Sequence, residues 1–263
     1  MGYRAAPGGG GGSGTPFDPA EWVQRNSLIY LPVGANQLGL TLLGTSMTAH
    51  GNGALRPVVG TGSFLQSLKR RGHQSNNVLN GQSGVYAPNG QIYFRGNAAG
   101  LGGFRFVGRF GVSQQNAGDM RFMCGMTPGA GPHTSTSEPS TEVNCFFVGA
   151  DSSDTQLQVM HNDAAGNCTK VALGASFPWP GTVNVDCYQV ELVCAVGVVT
   201  EMSYVVTRLD TGVVASGTVN SNLMTVNVLV KPEMVMNNGP TNAVATAFDT
   251  MGIYCDNQNG VVP

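Results

Sequence analysis

Hydrophobic and polar positions alternate with a period of two along much of the second half of the chain. In the stretch from Thr155 to Leu173, Leu157, Val159 and His161 share one face of an extended arm. Gln156, Gln158, Met160 and Asn162 share the other. Asn162-Asp163-Ala164-Ala165-Gly166-Asn167 follows. Asn, Asp and Gly tolerate positive φ, so this run predicts a turn, with residues 168–173 as the return arm of a β-hairpin. Upstream, Phe104, Phe106, Phe110 and Val112 fall on one face, and Arg105, Val107 and Arg109 on the other. Further strands are predicted at 120–126, 143–148, 187–199, 202–209, 213–219 and 244–255, and Val226, Val228 and Val230 mark one more. Asp210-Thr211-Gly212, Phe177-Pro178-Trp179-Pro180-Gly181 and Asn237-Asn238-Gly239-Pro240 read as turns. No stretch sustains a helical period. The pattern predicts an all-β fold, an antiparallel β-sandwich of the jelly-roll or lectin-like kind.

The first hundred residues are less regular. Residues 1–25 read as a flexible arm, with five consecutive glycines at 8–12 and an apolar group, Phe17, Trp22 and Val23, around a short Asp18-Pro19 turn. That group is the candidate docking peg. Residues 26–103 form a small irregular β region. Strands are expected at 27–33 and 38–47, short apolar pieces at 55–59 and 64–68, and a Gly/Asn-rich stretch at 72–90. Asn89-Gly90, between Val85-Tyr86 and Ile92-Tyr93-Phe94, is a type I′ hairpin signal. This region is expected either as a smaller unit or as strands that extend the main sandwich, 104–263, with the boundary at the glycines around Leu101.

Charged residues make up 11% of the 263-residue chain, against roughly 25% in a typical soluble protein. Low charge with ordinary hydrophobicity argues against disorder. It fits a subunit whose surface is covered by partners. The formal net charge is −2, and Lys69-Arg70-Arg71 is the one basic cluster. We read that cluster as a solvated loop, and expect no nucleic-acid partner. No segment reaches the roughly 20 apolar residues of a membrane span, so no membrane insertion is expected. The N-terminus has no apolar signal core, and the expectation is a protein made in the cytosol. The six cysteines, Cys124, Cys145, Cys168, Cys187, Cys194 and Cys255, lack zinc spacing and are read as free thiols used as small apolar residues.

Candidate chemistry is sparse. His161 and Asp163 invite a proton-transfer reading, but no third group is identifiable, and a turn-stabilising hydrogen bond is favoured. Asp151 and Asp154 lack the ordered ligand spacing of a calcium loop. Glu138 and Glu142 resemble a glycosidase acid pair only in being two nearby acids. Trp22, Trp179, Tyr86, Tyr93 and Phe94 could stack on sugar rings, and Trp179 is the candidate glycan contact. The expectation is no catalytic residue, no metal, no cofactor and no enzymatic activity.

Several segments in order resemble a β-sandwich domain of tailed-bacteriophage virion structural proteins of the tail-fibre-like kind. They are Gly108-Arg109-Phe110-Gly111-Val112-Ser113, Val148-Gly149-Ala150-Asp151, residues 156–163, Leu173-Gly174-Ala175-Ser176-Phe177-Pro178, Tyr188-Gln189-Val190-Glu191-Leu192, residues 206–212, Ala215-Ser216-Gly217-Thr218 and Ile253-Tyr254. The resemblance implies a non-enzymatic virion component, assembled in the host cytoplasm and oligomeric, with a homotrimer expected. Its partners would be itself, other virion proteins and host surface glycan. Phe17, Trp22 and Val23 would then serve virion anchoring. The chain lacks the heptads or shaft repeats of a long fibre, which leaves a short fibre, a head or collar appendage or a decoration protein. A carbohydrate-binding module and a polysaccharide depolymerase are the alternatives.

Overall fold

The computed structural model describes residues 27–30, 40–41, 47–50, 54–55, 59–88, 93–98, 100–116 and 118–257. The arm with Phe17, Trp22 and Val23, and the Asn89-Gly90 turn, lie outside the described residues. The strands, in chain order, are β1 (Ser27–Tyr30), β2 (Leu40–Thr41), β3 (Thr48–His50), β4 (Ala54–Leu55), β5 (Arg71–Gln74), β6 (Gln82–Tyr86), β7 (Phe104–Gln114) and β8 (Arg121–Thr127). They continue with β9 (Cys145–Ala150), β10 (Gln158–Asn162), β11 (Thr169–Ala172), β12 (Cys187–Cys194), β13 (Met202–Arg208), β14 (Val214–Val219), β15 (Lys231–Asn237) and β16 (Ala247–Asn257). Helix is confined, among the described residues, to two single 3-10 turns, Leu65–Ser67 and Pro139–Thr141.

All strand pairs among the described residues are antiparallel. They form two sheets. The nine-stranded sheet runs β14-β13-β12-β7-β16-β1-β2, with β5 also on β16 and β4 on β5. The seven-stranded sheet runs β11-β10-β9-β8-β15-β6-β3. The fold is an antiparallel lectin-like β-sandwich. Strands from residues 27–86 enter both sheets, so the small β region extends the sandwich.

Period-two patterning explains the core. Phe104, Phe106, Phe110 and Val112 of β7 are all buried. They meet Phe122 of β8, Tyr188, Val190 and Leu192 of β12, and Met234 and Met236 of β15 in one cluster. Phe110 lies 4.3 Å from Phe122, ring centre to ring centre, and Phe122 lies 4.9 Å from Trp179. Each buried aromatic of this size contributes about 2–3 kcal/mol by removal from water. Of the neighbours Phe146 and Phe147, the first joins this core. The second joins a smaller cluster with Met123, Cys145 and Met160. Successive strand residues point to opposite faces, so the seven-stranded sheet is covered on both sides. Gly111 of β7 admits Leu65, which is fully buried; a Cβ there would stand 2.9 Å from the Leu65 side chain.

The predicted hairpin is β10–β11, with Val159 opposite Val171 and His161 opposite Thr169. The strand expected around Val226–Val230 lies a few residues later, at Lys231–Asn237.

Candidate functional site

The outward face of the seven-stranded sheet carries the densest polar chemistry among the described residues. Alternation puts Thr127 and Arg121 of β8, Lys231, Glu233 and Asn237 of β15 and Gln82 of β6 on this face. The register brings Lys231 opposite Thr127, and Asn237 opposite both Arg121 and Gln82. The long loop after β8, residues 128–138, crosses this face as a strap. Gln82 donates to the His133 carbonyl at 3.0 Å. Arg121 and Asn237 both donate to the Ser135 carbonyl, at 3.1 and 2.9 Å. Cys168 N–H donates to the Ser140 carbonyl at 2.7 Å.

At the centre is an ion pair with no exposure on either side chain. Lys231 Nζ donates to Glu233 Oε2 at 2.8 Å. Lys231 also donates to Thr127 Oγ1 at 2.8 Å, and Thr127 donates on to Glu233 Oε2 at 2.7 Å. The other carboxylate oxygen accepts the His133 backbone N–H at 2.7 Å. The ammonium lies 5.7 Å from the centre of the Tyr86 ring. Burying two charges is tolerated only when their remaining hydrogen-bond positions are filled, as here.

The sequence's acid candidates are all held in internal contacts. Glu138 accepts from Arg121 at 2.7 Å and from the Ser152 N–H and Oγ, each at 2.8 Å. Burial raises its pKa, but the Arg121 and Ser152 bonds outweigh that and hold it below the usual carboxylate range. A glycosidase acid needs the opposite shift. Glu142 bonds His133 Nδ1 at 2.5 Å. Burial opposes protonation of that imidazole. Glu142, the Ser137 carbonyl and the Glu233 charge prevail, and its pKa is raised. Asp151 and Asp154 each receive Lys170 Nζ at 2.7 Å. The ammonium stands where a shared cation would sit, and burial's opposing effect is outweighed, so the Lys170 pKa rises. No group of three or more His, Cys, Asp or Glu among the described residues is arranged to hold a metal ion.

His161 is buried, its Nδ1 lies 3.0 Å from the Asn222 carbonyl, and burial lowers its pKa. Asp163 instead accepts the Ala165 N–H at 3.0 Å within the turn. The two side chains therefore have different partners, and the Asp163 N–H also donates to Asn222 Oδ1 at 3.1 Å. All six cysteines are free. Burial raises the thiol pKa of Cys124 and Cys255, and takes Cys187 and Cys194 up to about 12.

Two expectations are corrected by burial. Trp179 was the candidate glycan contact, but it is only 4% exposed. Its ring packs on Phe122 and its indole N–H donates to the Met120 carbonyl at 2.9 Å. A stacking platform needs an open ring face, and this one is turned into the core. Tyr93 is likewise buried, its hydroxyl donating to the Cys255 carbonyl. The basic cluster is not simply a solvated loop either: Arg70 is buried and pairs with Asp249 at 2.6 Å. The Lys231–Glu233–Thr127–His133 network went unseen in the sequence. Charged residues read as surface, and only their strand register, with Thr127 as a polar residue at a covered position, could have suggested it.

No family model matches the chain, and no curated protein matches it by sequence. Solved structures do match in fold. One is a protein of unknown function from Shewanella oneidensis MR-1, with a TM-score of 0.55 at 10% identity, over 96% of this chain and 99% of that one. Arcelin-5, a lectin-like defense protein from Phaseolus vulgaris, aligns with a TM-score of 0.54 at 9% identity, over 89% and 98%. Peanut lectin, in a complex with a nine-residue peptide, aligns with a TM-score of 0.53 at 12% identity, over 88% and 96%. At these identities the likeness is one of fold.

Proposed function

We propose that this chain is a non-enzymatic surface protein of a bacteriophage particle, whose lectin-like sandwich recognises host surface glycan and whose N-terminal arm anchors it. The observation that carries the recognition half is the combination of a lectin-like fold with acid side chains already committed to internal partners. Glu138, Glu142, Asp151 and Asp154 each hold an arginine, histidine or lysine. That arrangement favours a binding scaffold over a hydrolase. Two of the similar structures are, by name, a lectin and a lectin-like protein. The virion half rests on the resemblance of the segments between Gly108 and Tyr254, which supply strands to both sheets. The anchoring role belongs to Phe17, Trp22 and Val23.

A glycan array probed with the full chain tests recognition. The expected result is binding to host surface polysaccharide with no release of reducing ends. No binding at about 100 µM chain, a concentration that still detects very weak sites, overturns it. Deleting residues 1–25 tests anchoring separately. The expected result is loss from particles with the sandwich still folded, and normal incorporation refutes the anchor.

A further inference from the structure

The nine-stranded sheet ends on β14, which no strand among the described residues covers on its outer side. Sheet ends are ordinarily protected by shortness, charge or proline. Strand β11, which ends the seven-stranded sheet, follows that rule, with four residues and Lys170. Strand β14 has six residues, Val214-Ala215-Ser216-Gly217-Thr218-Val219, with no charge and no proline. Its neighbours Thr211, Gly212, Val213, Asn220 and Ser221 are uncharged too.

The ladder shows which groups point outward. Arg208 N–H donates to the Val213 carbonyl at 2.8 Å, and the same register continues with Val206 opposite Ala215 and Tyr204 opposite Gly217. Bonded and non-bonded pairs alternate along an antiparallel ladder. Counting from Val213, residues 215, 217 and 219 turn their N–H and C=O toward β13. Val214, Ser216 and Thr218 turn theirs to the open side. Their side chains share the outward face, where Val214 is 56% exposed, and Val205, opposite Ser216, is 37% exposed.

We infer that β14 pairs edge to edge with β14 of a second copy of this chain, about a two-fold axis through Ser216. That register sets Ser216 against the partner's Ser216, and Val214 against the partner's Thr218 in both directions. Side chains then keep matching faces, which an axis between two residues would not allow. Every free N–H finds a free C=O, giving about six hydrogen bonds, two for each facing pair. No like charges meet. The contact joins the two nine-stranded sheets into one. It calls for a two-chain assembly where the resemblance implied a trimer, and it stands independently of glycan recognition.

Sedimentation of the full chain tests this. The expected result is the mass of two chains, each 27.3 kDa, forming with a dissociation constant on the order of 10 µM, as suits a small edge contact. Ser216→Pro removes an outward N–H without touching the β13 ladder, and Ser216→Lys sets two ammonium groups face to face on the axis. Both should weaken association at least about tenfold while leaving the circular dichroism unchanged. Ser216→Cys should cross-link under mild oxidation, because facing bonded pairs put Cα atoms about 5.5 Å apart, within disulfide reach. A one-chain or three-chain mass at about 100 µM, association unaffected by both folded variants, or no cross-link beyond that of the unaltered chain overturns the proposal.

Discussion

Replacing Lys231 with methionine is the sharpest probe of the strapped face. Methionine has a similar length and is apolar, so the packing volume is nearly kept while the ammonium is lost. Glu233, with no exposure, would then hold its carboxylate with only the Thr127 hydroxyl and the His133 N–H, both at 2.7 Å. Breaking a buried pair by removing one partner costs about 3–5 kcal/mol. Two donors remain to the carboxylate, which argues for the lower end, about 3 kcal/mol. For a chain of this size that is a fall in Tm of roughly 6–12 °C. Urea titration followed by circular dichroism reads it directly, as a lower midpoint at unchanged slope. Lys231→Met combined with Glu233→Leu removes both charges. It orphans the His133 N–H and leaves Thr127 without either partner, at about 1–3 kcal/mol for each unmet group. The double variant should therefore be less damaged than the sum of the singles, with a coupling of about 2 kcal/mol or more. A loss under about 1 kcal/mol for Lys231→Met would refute the claim that the pair is desolvated, since exposed ion pairs contribute that little.

Four further outcomes are expected. His73 is buried against Phe248, and burial, then the Arg71 charge, takes its pKa down to about 3. Its contribution is present above the unfolded value of about 6.5 and lost as pH falls toward about 3, so going from pH 7 to 4 should cost roughly 3 kcal/mol, less in His73→Phe. His133 has the opposite sign. Its raised pKa makes the stabilisation complete below about 6.5 and lost as pH rises through the folded value, so the stability gap to His133→Gln should narrow on going alkaline. Trp179→Ala should lower stability by about 3–5 kcal/mol in denaturant titration, and an unchanged midpoint would restore the surface reading. Millimolar calcium should leave the Tm unmoved, because Lys170 occupies the space between Asp151 and Asp154, and a clear rise would show that the lysine yields to a cation.

Period-two alternation was enough to place the regular strands. Phe104, Phe106, Phe110 and Val112 were legible as one face because the alternating direction of side chains on a strand is a local property of the backbone. The β10–β11 hairpin was legible for the same reason, with Asn, Asp and Gly marking its turn. Local chemistry failed where partners come from far along the chain. Lys231-Pro232-Glu233 opens β15, yet the strand was expected at Val226, Val228 and Val230, because a lysine, a proline and a glutamate are a poor local signal for a covered strand. They form a covered strand only because Thr127 and the His133 N–H, about 100 residues earlier, meet the charges. Arg70 read as solvated because Asp249 is 179 residues away. Trp179 read as a sugar platform because a turn normally lies at the surface, and only the packing of Phe122 beneath it makes it core. Glu138 and Glu142 read only as two nearby acids, and it took the fold to set them on different partners, Arg121 and His133. Sequence alone therefore determined that the chain alternates, turns and closes as a sandwich. Which charged and aromatic residues are buried was decided by the tertiary structure, since burial of such groups depends on distant partners that replace water.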